Sequence, residues 1–316
     1  MNIVIPDDYQ HAARTLEAMR LLDGHRVTVL GDLARDRQAD VALAEADAVV
    51  LIRERTRIDA GFLRRTPRLK CISQTGRIAG HIDRAACAAA GVTIVEGIGS
   101  PVAPAELTWT LIMAARRKLV PAVDGLRAGH WQTNMGEALH GRTLGIWGYG
   151  KIGRLVAGYG RAFAMPVLVW GGEASRAAAV ADGHSAAAER DELFETADVL
   201  SLHLRLVEAT RGIVTASDLA RMKPGALLVN TSRAELVETG ALEAALAAGR
   251  PGFAAIDVFE REPVHDPRHP LLRLPNVLAT PHLGYVEKDS YEIYFASAFA
   301  NLVAFFSGHP TNVVAP

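Results

Sequence analysis

The chain has 316 residues, which is long enough for two domains of ordinary size, each with its own hydrophobic core. Its 34 basic and 35 acidic residues are spread along the chain and leave a formal net charge of -1. This balance excludes the strongly basic surface typical of proteins that bind nucleic acid or an anionic membrane, so small molecules are the expected partners.

The cysteines and the amino terminus indicate the compartment. Cys71 and Cys87 are the only cysteines, and they lie in apolar surroundings without the spacing of a metal or redox site. Buried free thiols favour a reducing compartment, and no metal ion is expected. No basic segment leads into a long apolar run at the start, and no apolar stretch is long enough to span a bilayer. The sequence therefore predicts a soluble cytoplasmic protein.

The first hundred residues alternate short apolar runs with helical patterns. The apolar runs predict strands at 2–5, 26–30, 48–52, 69–73 and 92–95. Such alternation favours a parallel sheet with helices on both faces. The segment GIGSP at 97–101 interrupts the pattern, and 101–118 then reads as a long helix rich in Ala, Leu and Met. We expect a domain boundary and a hinge near Pro101.

A second alternating series begins at residue 143 and predicts a complete dinucleotide-binding sheet. Its strands are expected at 143–147, 166–170, 199–202, 226–230, 254–258 and 276–280. An amphipathic helix over 287–307, rich in aromatic residues, follows a second hinge near Gly284 and is expected to return to the first domain. The predicted domains are residues 1–100 plus 285–316, and residues 101–284.

A glycine fingerprint of the form G-x-G-x-x-G follows the strand over 143–147. It consists of Gly148, Tyr149, Gly150, Lys151, Ile152 and Gly153. The first glycine permits a tight turn, the second lets the backbone approach a pyrophosphate, and the third lets the next helix pack on the strand. The amides of Lys151 and Ile152 would then face the phosphates. A plain strand-to-helix turn is the alternative, because turns recruit glycine for many reasons.

Six motifs in order carry a resemblance to a known family. They are GRTLGI at 141–146 before the fingerprint, ADVLSLH at 197–203, MKPGA at 222–226, NTSR at 230–233, DVFEREP at 257–263 and TPHLG at 280–284. With them the chain closely resembles the D-isomer-specific 2-hydroxyacid dehydrogenases, which have the formate/glycerate dehydrogenase fold. A weaker resemblance at 75–76, 105–106 and 129–131 extends it over essentially the whole chain.

The resemblance implies an α/β protein with two doubly wound parallel-sheet domains. One would be a Rossmann NAD(P)-binding domain and the other a flavodoxin-like substrate domain. A homodimer is also implied, with a two-fold interface built from the helix over 101–118. That helix carries more apolar surface than one domain face needs, at Leu107, Trp109, Leu111, Ile112 and Met113.

Matching motif by motif places three catalytic side chains, Arg233, Glu262 and His282. The Arg233 guanidinium would hold the substrate carboxylate and polarise the ketone. His282 would donate a proton to the oxygen that becomes an alkoxide, and Glu262 would fix the imidazole tautomer and stabilise the imidazolium. Taken singly, each residue has a plainer interpretation: a solvated arginine, a turn before a proline, and a histidine bonded to a nearby carbonyl.

The same matching suggests further contacts for the cofactor. Asp257 takes the position that hydrogen-bonds the nicotinamide carboxamide, while Thr231 and Ser232 offer backbone and hydroxyl contacts. His203 ends a strand on the nicotinamide side, and a structural role is its alternative.

The strand over 166–170 departs from the family, because Gly171 stands where an acidic residue usually binds the adenosine ribose. Glu173 is positioned to replace that residue and favours NAD(H), whereas Ser175 and Arg176 would suit the 2′-phosphate of NADP(H). We predict NAD(H), with NADP(H) as the open alternative.

The substrate loop departs from the family as well. Gly76, Arg77 and Ile78 lie at the turn whose backbone amides are expected to receive the substrate carboxylate, although small residues are usual after Gly76. One hypothesis is that Arg77, together with Arg53, adds positive charge for a second acidic group. The alternative is that the Arg77 side chain points to solvent and only its amide is used.

These observations predict an oxidoreductase that transfers a hydride between NAD(P)H and a 2-oxo acid, giving a D-2-hydroxy acid. A formate-type dehydrogenase on the same fold is disfavoured by Glu262, since such relatives place Gln beside the histidine; a phosphite-oxidising relative is harder to separate. A nucleotide-sensing binding module without enzymatic activity is the alternative of a different class.

Overall fold

A computed structural model describes residues 1–315. The chain divides into two compact units, Met1–Ser100 together with the chain from Val286 onward, and Pro101–Tyr285. The second division falls one residue later than the predicted domain boundary. The reason is local: the Tyr285 ring packs against the His282 ring, with centroids 5.2 Å apart, and so remains with the second unit.

The first unit begins with five parallel strands. They are β1 (Asn2–Ile5), β2 (Arg26–Val29), β3 (Ala48–Leu51), β4 (Cys71–Gln74) and β5 (Thr93–Glu96), and the helices between them are α1 (Ala39–Ala44), α2 (Ala60–Arg65) and α3 (Arg84–Ala89). The sheet order is β2-β1-β3-β4-β5, which is the doubly wound order of flavodoxin-like domains. Strands β3 and β4 are buried throughout, as expected for the centre of a sheet covered on both faces.

The second unit contains the longer sheet. Its elements are α4 (Val102–Arg116), α5 (Leu119–Arg127), β6 (Leu144–Trp147), α6 (Lys151–Ala162), β7 (Val167–Trp170), α7 (Glu173–Ala181), β8 (Ser185–Ala186), α8 (Arg190–Thr196), β9 (Val199–Leu202), α9 (Ala216–Arg221), β10 (Leu227–Asn230), α10 (Ala241–Ala247), β11 (Phe253–Ile256) and β12 (Val277–Ala279). The order β12-β11-β10-β9-β6-β7-β8 is the Rossmann order with one additional strand at the edge. Both parallel sheets confirm the predicted fold class.

Two elements of the second unit were not predicted. Strand β8 has only two residues, too few to leave an alternating pattern. Helix α5 contains Pro121 and Gly125, which weaken a helical pattern, and Lys118 in the left-handed region (φ 50°) separates it from α4. The prediction of one helix over 101–118 therefore covered α4 alone.

The last helix, α11 (Lys288–Phe306), belongs to the first unit. Its aromatic face is buried at Tyr291, Tyr294, Phe295 and Phe299. The Ser73 hydroxyl of β4 donates a 2.7 Å hydrogen bond to the carbonyl of Ala298, which fastens the helix to the sheet. In the described part of the chain no helix has the length and apolarity needed to cross a membrane.

Candidate active site

The glycine fingerprint forms the turn between β6 and α6. Gly148 has φ 102°, and a Cβ there would lie 2.5 Å from the carbonyl oxygen of His203, so only glycine fits. Gly150 caps α6 in extended conformation and faces open space. A Cβ on Gly153 would overlap the carbonyl oxygen of Gly148, which shows how closely the helix approaches the strand.

The start of α6 has the features of an anion site. Among residues 1–315 no side chain caps this helix and no acidic residue lies in its first turn, so the amides of Lys151, Ile152 and Gly153 point out from the helix end. Tyr149 behaves differently: its side chain is buried, and its hydroxyl donates to the Asp182 carboxylate at 2.8 Å. Burial and that carboxylate raise the pKa of Tyr149 to about 12. Only the Tyr149 backbone is thus placed for a cofactor.

Gly153→Ala is expected to destabilise the protein by roughly 1–3 kcal/mol, because the new methyl group meets backbone atoms that cannot rotate away. Gly158→Ala is the matched control on the same helix, since a Cβ there meets nothing within 4 Å; it should stabilise by up to about 1 kcal/mol. Urea unfolding of both variants checks the pair. Equal stability of the two variants would contradict the close helix–strand contact.

His282 and Glu262, two of the side chains predicted to be catalytic, are in direct contact. The Glu262 Oε2 lies 2.6 Å from His282 Nδ1, while Oε1 accepts from the Phe259 amide at 2.9 Å and so fixes the carboxylate. The His282 backbone has φ 52° and its ring lies against Tyr285. Because Nδ1 is engaged, Nε2 is the ring nitrogen that remains available for a proton transfer. Glu260, the other glutamate of the same motif, is exposed and does not form this contact.

Asp257 holds the segment that carries His282. Its fully buried carboxylate accepts from the Thr280 hydroxyl at 2.6 Å, the Leu283 amide at 2.7 Å and the Gly284 amide at 2.8 Å. Burial raises the pKa of Asp257, while these donors and the nearby His282 oppose the rise. The structure therefore gives Asp257 a positioning geometry that the sequence did not predict.

Arg233 follows β10 in a short turn. Its Nη1 donates to the carbonyl of Ser232 at 2.7 Å, and its own carbonyl accepts from the Asn230 side chain at 2.9 Å. The predicted cofactor residues beside it are also anchored: the Ser232 hydroxyl donates to the Leu202 carbonyl, and the Thr231 hydroxyl lies 2.7 Å from that of Thr108. The carboxyl ends of β10 and β9 are thereby tied together.

His203 follows β9, and its Nε2 lies 2.9 Å from the Ser201 hydroxyl. Burial lowers the pKa of His203 to about 4, so the ring is neutral at physiological pH. A neutral His203 ring with one nitrogen already engaged is unsuited to donating a proton, which is the role predicted for His282. A contact between His203 and the cofactor remains a prediction.

The carboxyl end of β7 contains no carboxylate in the strand itself. Gly171 has φ 156°, Gly172 caps α7, and Glu173 is exposed as the first residue of that helix. The Arg176 guanidinium lies 4.9 Å above the Trp170 ring centroid. Glu173 and Arg176, the acidic residue and the arginine considered in the sequence analysis, therefore both lie at this turn.

The predicted substrate residues of the first unit lie after β3 and β4. The Arg53 side chain covers Gly76, where a Cβ would overlap Nη1, and its Nη1 donates to the Thr75 carbonyl at 3.3 Å. The Glu96 carboxylate, at the end of β5, accepts from Arg77 Nη1 at 2.8 Å and from the Ile78 amide at 3.0 Å.

The contacts of Glu96 bear on two expectations for this turn, the role of the Arg77 charge and the role of the Ile78 amide. The Arg77 charge is paired, although its side chain is 82% exposed, which opposes the hypothesis that it serves a second acidic group. The Ile78 amide, expected to receive a carboxylate, is already bonded. The sequence analysis did not identify Glu96. Its only signal was its position at the carboxyl end of β5, which pairs with β4, the strand before Gly76.

Within residues 1–315 no group of three or more His, Cys, Asp or Glu side chains is arranged to hold a metal ion. The glycine cradle and the amides at the start of α6 fit a dinucleotide pyrophosphate.

Comparisons with known proteins agree with this geometry. Residues 109–284 match the family model described as "D-isomer specific 2-hydroxyacid dehydrogenase, NAD binding domain". A glyoxylate reductase from Aeropyrum pernix is 37% identical over 281 residues, covering 85% of this chain and 83% of that protein. A D-3-phosphoglycerate dehydrogenase from Methanocaldococcus jannaschii is 35% identical over 245 residues; the match covers 77% of this chain but 46% of that longer protein. The crystal structure of a phosphoglycerate oxidoreductase from Vibrio cholerae O395 is similar with a TM-score of 0.93 and 56% identity, covering 98% of this chain and 99% of that one.

Proposed function

The chain belongs to the D-isomer specific 2-hydroxyacid dehydrogenase family and is by class an NAD-dependent oxidoreductase, and from that premise we propose that it reduces a 2-oxo acid with His282 as the proton donor. The observation that carries this proposal is the 2.6 Å contact between Glu262 and His282 Nδ1. This contact occupies Nδ1, so Nε2 remains available to act as the general acid.

The proposed roles follow from charge. When the carbonyl carbon is reduced, its oxygen gains negative charge, and His282 Nε2 delivers the proton that neutralises it. Glu262 keeps the proton on Nδ1 and stabilises the positive ring before the transfer. Arg233 holds the substrate carboxylate, because a guanidinium offers two parallel donors to two oxygens. In the reverse direction His282 Nε2 accepts the proton.

The cofactor contacts belong to the same proposal. Bound NAD(H) supplies or accepts the hydride. The amides of Lys151 and Ile152 would hold its pyrophosphate, Glu173 its adenosine ribose, and Thr231, Ser232 and Asp257 its nicotinamide side. Since both Asp257 oxygens already accept hydrogen bonds, any contact from a carboxamide would be an additional one.

Oxidation of NADH and NADPH by the purified protein tests the proposal. The panel of acids should include glyoxylate, hydroxypyruvate, phenylpyruvate and 2-oxoglutarate, because the names of the relatives indicate more than one substrate. We expect turnover with at least one acid and a preference for NADH. Tight NADH binding without turnover of any acid would instead favour a nucleotide-sensing protein or a donor such as phosphite.

A homodimer is the second part of the proposal, with an interface that extends from the expected helix α4 to the segment that follows it. Leu111 and Ile112 of α4 are buried in the core of their own unit, so they cannot reach a partner. The exposed apolar surface lies on α5, which has no buried residue, and on the segment that follows it. The exposed apolar side chains of α5 and this segment are Leu119, Val120, Val123, Leu126, Trp131 and Met135. Beside them a cavity of about 770 Å³ is lined by Trp109, Met113, Trp131 and Phe163. A second copy of this chain is the proposed occupant.

Leu126→Glu is expected to weaken the dimer at least about 30-fold, because a charge would be buried in an apolar interface. Val41→Glu is the matched control, since Val41 is an exposed apolar residue of the first unit. Sedimentation equilibrium over a range of concentrations measures both. A monomeric wild-type protein, or equal dissociation of the two variants, would contradict this interface.

We propose a cytoplasmic location because the two cysteines are free and buried. Burial raises the pKa of Cys71 to about 12 and that of Cys87 to about 11, so both thiols are unreactive.

A further inference from the structure

The carboxyl edge of the first unit's sheet carries an unusual number of charges. Within four residues after the ends of β3 and β4 lie three arginines, Arg53, Arg55 and Arg77. Within the same distance of the ends of β1, β2 and β3, and at the last residue of β5, lie five carboxylates, Asp7, Asp8, Asp32, Glu54 and Glu96. Ligands of open α/β sheets bind at this edge, so the state of these charges bears on what the site accepts.

Each arginine is already engaged by the protein. Arg53 Nη2 lies 3.4 Å from the Glu54 carboxylate, and both side chains are mostly buried, with 21% and 18% exposed. Arg77 is paired with Glu96 at 2.8 Å, and the Glu96 side chain is 18% exposed. Both partner carboxylates are held at the edge and shielded from solvent, so they reduce the positive potential that a ligand would meet.

Arg55 is bound on several sides. Its guanidinium donates to the Asp7 carbonyl at 2.8 Å, the Gln10 side chain at 3.1 Å and the Tyr291 hydroxyl at 2.9 Å. It also lies 4.7 Å from the centroid of the Tyr9 ring. Freeing this arginine for a phosphate would break these contacts together, and the buried Asp7 and Asp8 carboxylates lie in the same loop.

We propose that the substrate carries a single anionic group, a monocarboxylate without a phosphate or a second carboxylate, and that Glu54 and Glu96 enforce this choice. The inference rests on the proposed function, which takes a 2-oxo acid as the substrate. A second anion at this edge would meet paired arginines and more carboxylates than arginines, and like charges brought together at a binding surface cost enough to reject a ligand.

Hydroxypyruvate and its 3-phosphate ester form the matched pair of substrates, since they differ only in the second anion. We expect kcat/KM for hydroxypyruvate to exceed that for the ester by at least about 100-fold, with the difference mainly in KM. Glu54→Gln and Glu96→Gln should each lower this ratio by about tenfold by raising activity on the ester. Glu45→Gln is the control, because Glu45 pairs with Arg26 at the opposite edge of the same sheet and should leave the ratio unchanged.

Calorimetric binding of D-glycerate and 3-phosphoglycerate with NAD⁺ present provides a readout that needs no turnover. Preference for D-glycerate would support the proposal even if no 2-oxo acid is reduced, an outcome that would sink the proposed function alone. Equal or tighter binding of the phosphorylated acid, or turnover of the ester at the rate of hydroxypyruvate, overturns the inference and leaves the reductase function intact. Binding of neither acid, or an unchanged ratio in both variants of folded protein, also overturns it.

Discussion

His282→Asn is expected to lower kcat for reduction of a 2-oxo acid by about 10² to 10⁴-fold while NADH binding is retained. Asparagine can still donate a hydrogen bond but cannot transfer a proton, so the alkoxide oxygen would have to be neutralised by water. This expectation follows from the 2.6 Å contact with Glu262, which occupies Nδ1 and leaves Nε2 available for the transfer.

Stopped-flow measurement of NADH oxidation separates the chemical step from binding, and a fluorescence titration gives the NADH affinity. His309→Asn is the control, because the His309 side chain is exposed and its ring lies 3.0 Å from the carbonyl of Ser307. A His282→Asn variant that retains more than about a tenth of the wild-type kcat would rule out the assignment of His282 as the acid. Glu262→Gln should then be examined for the same loss, since the amide can still bond Nδ1 but carries no charge.

Asp257→Ala is expected to reduce stability by roughly 2–5 kcal/mol and to lower kcat, because the Leu283 and Gly284 amides and the Thr280 hydroxyl lose a buried acceptor. The His282 segment would lose the contacts that hold it. Asp257→Asn keeps one oxygen and loses the second, so its effects should be intermediate. Asp23→Ala, at an exposed carboxylate of the first unit, serves as the control.

The pH dependence gives this prediction a second, independent readout. Burial raises the pKa of Asp257 in the folded protein above its ordinary value, so its contribution to stability is present below that value and is lost as the pH rises through the folded pKa. Asparagine does not titrate. The stability penalty of Asp257→Asn should therefore grow as the pH falls through that range, as urea unfolding at several pH values would reveal. A penalty that shrinks on acidification would show the opposite sign of shift.

Local patterns were sufficient to predict most strands to within two residues, because short continuous apolar runs between turns are typical of strands buried on both faces of a parallel sheet. The fingerprint glycines were predictable for a related reason: at Gly148 and Gly153 the fold leaves no space for a Cβ, so the requirement appears as a residue type. The family motifs then predicted the fold class, which the two sheet orders confirm.

Contacts between distant residues were not predictable from the chain. Leu111 and Ile112 satisfied the pattern of an interface helix, yet they are buried in their own unit, while the weakly helical segment of α5 carries the exposed apolar side chains. Periodicity shows that a face is apolar, but only packing decides what covers it.

By itself, the sequence determined the alternating architecture and the nucleotide fingerprint, since these depend on residue types and short spacings. The residues proposed for catalysis came from the family resemblance that its motifs carry. Only the tertiary structure decided which other charges meet: Glu96 at Arg77, and Asp257 at the amides beyond His282. The physical reason is that electrostatic and hydrogen-bond partners are chosen by distance in space, and parallel strands bring together chain segments about twenty residues apart.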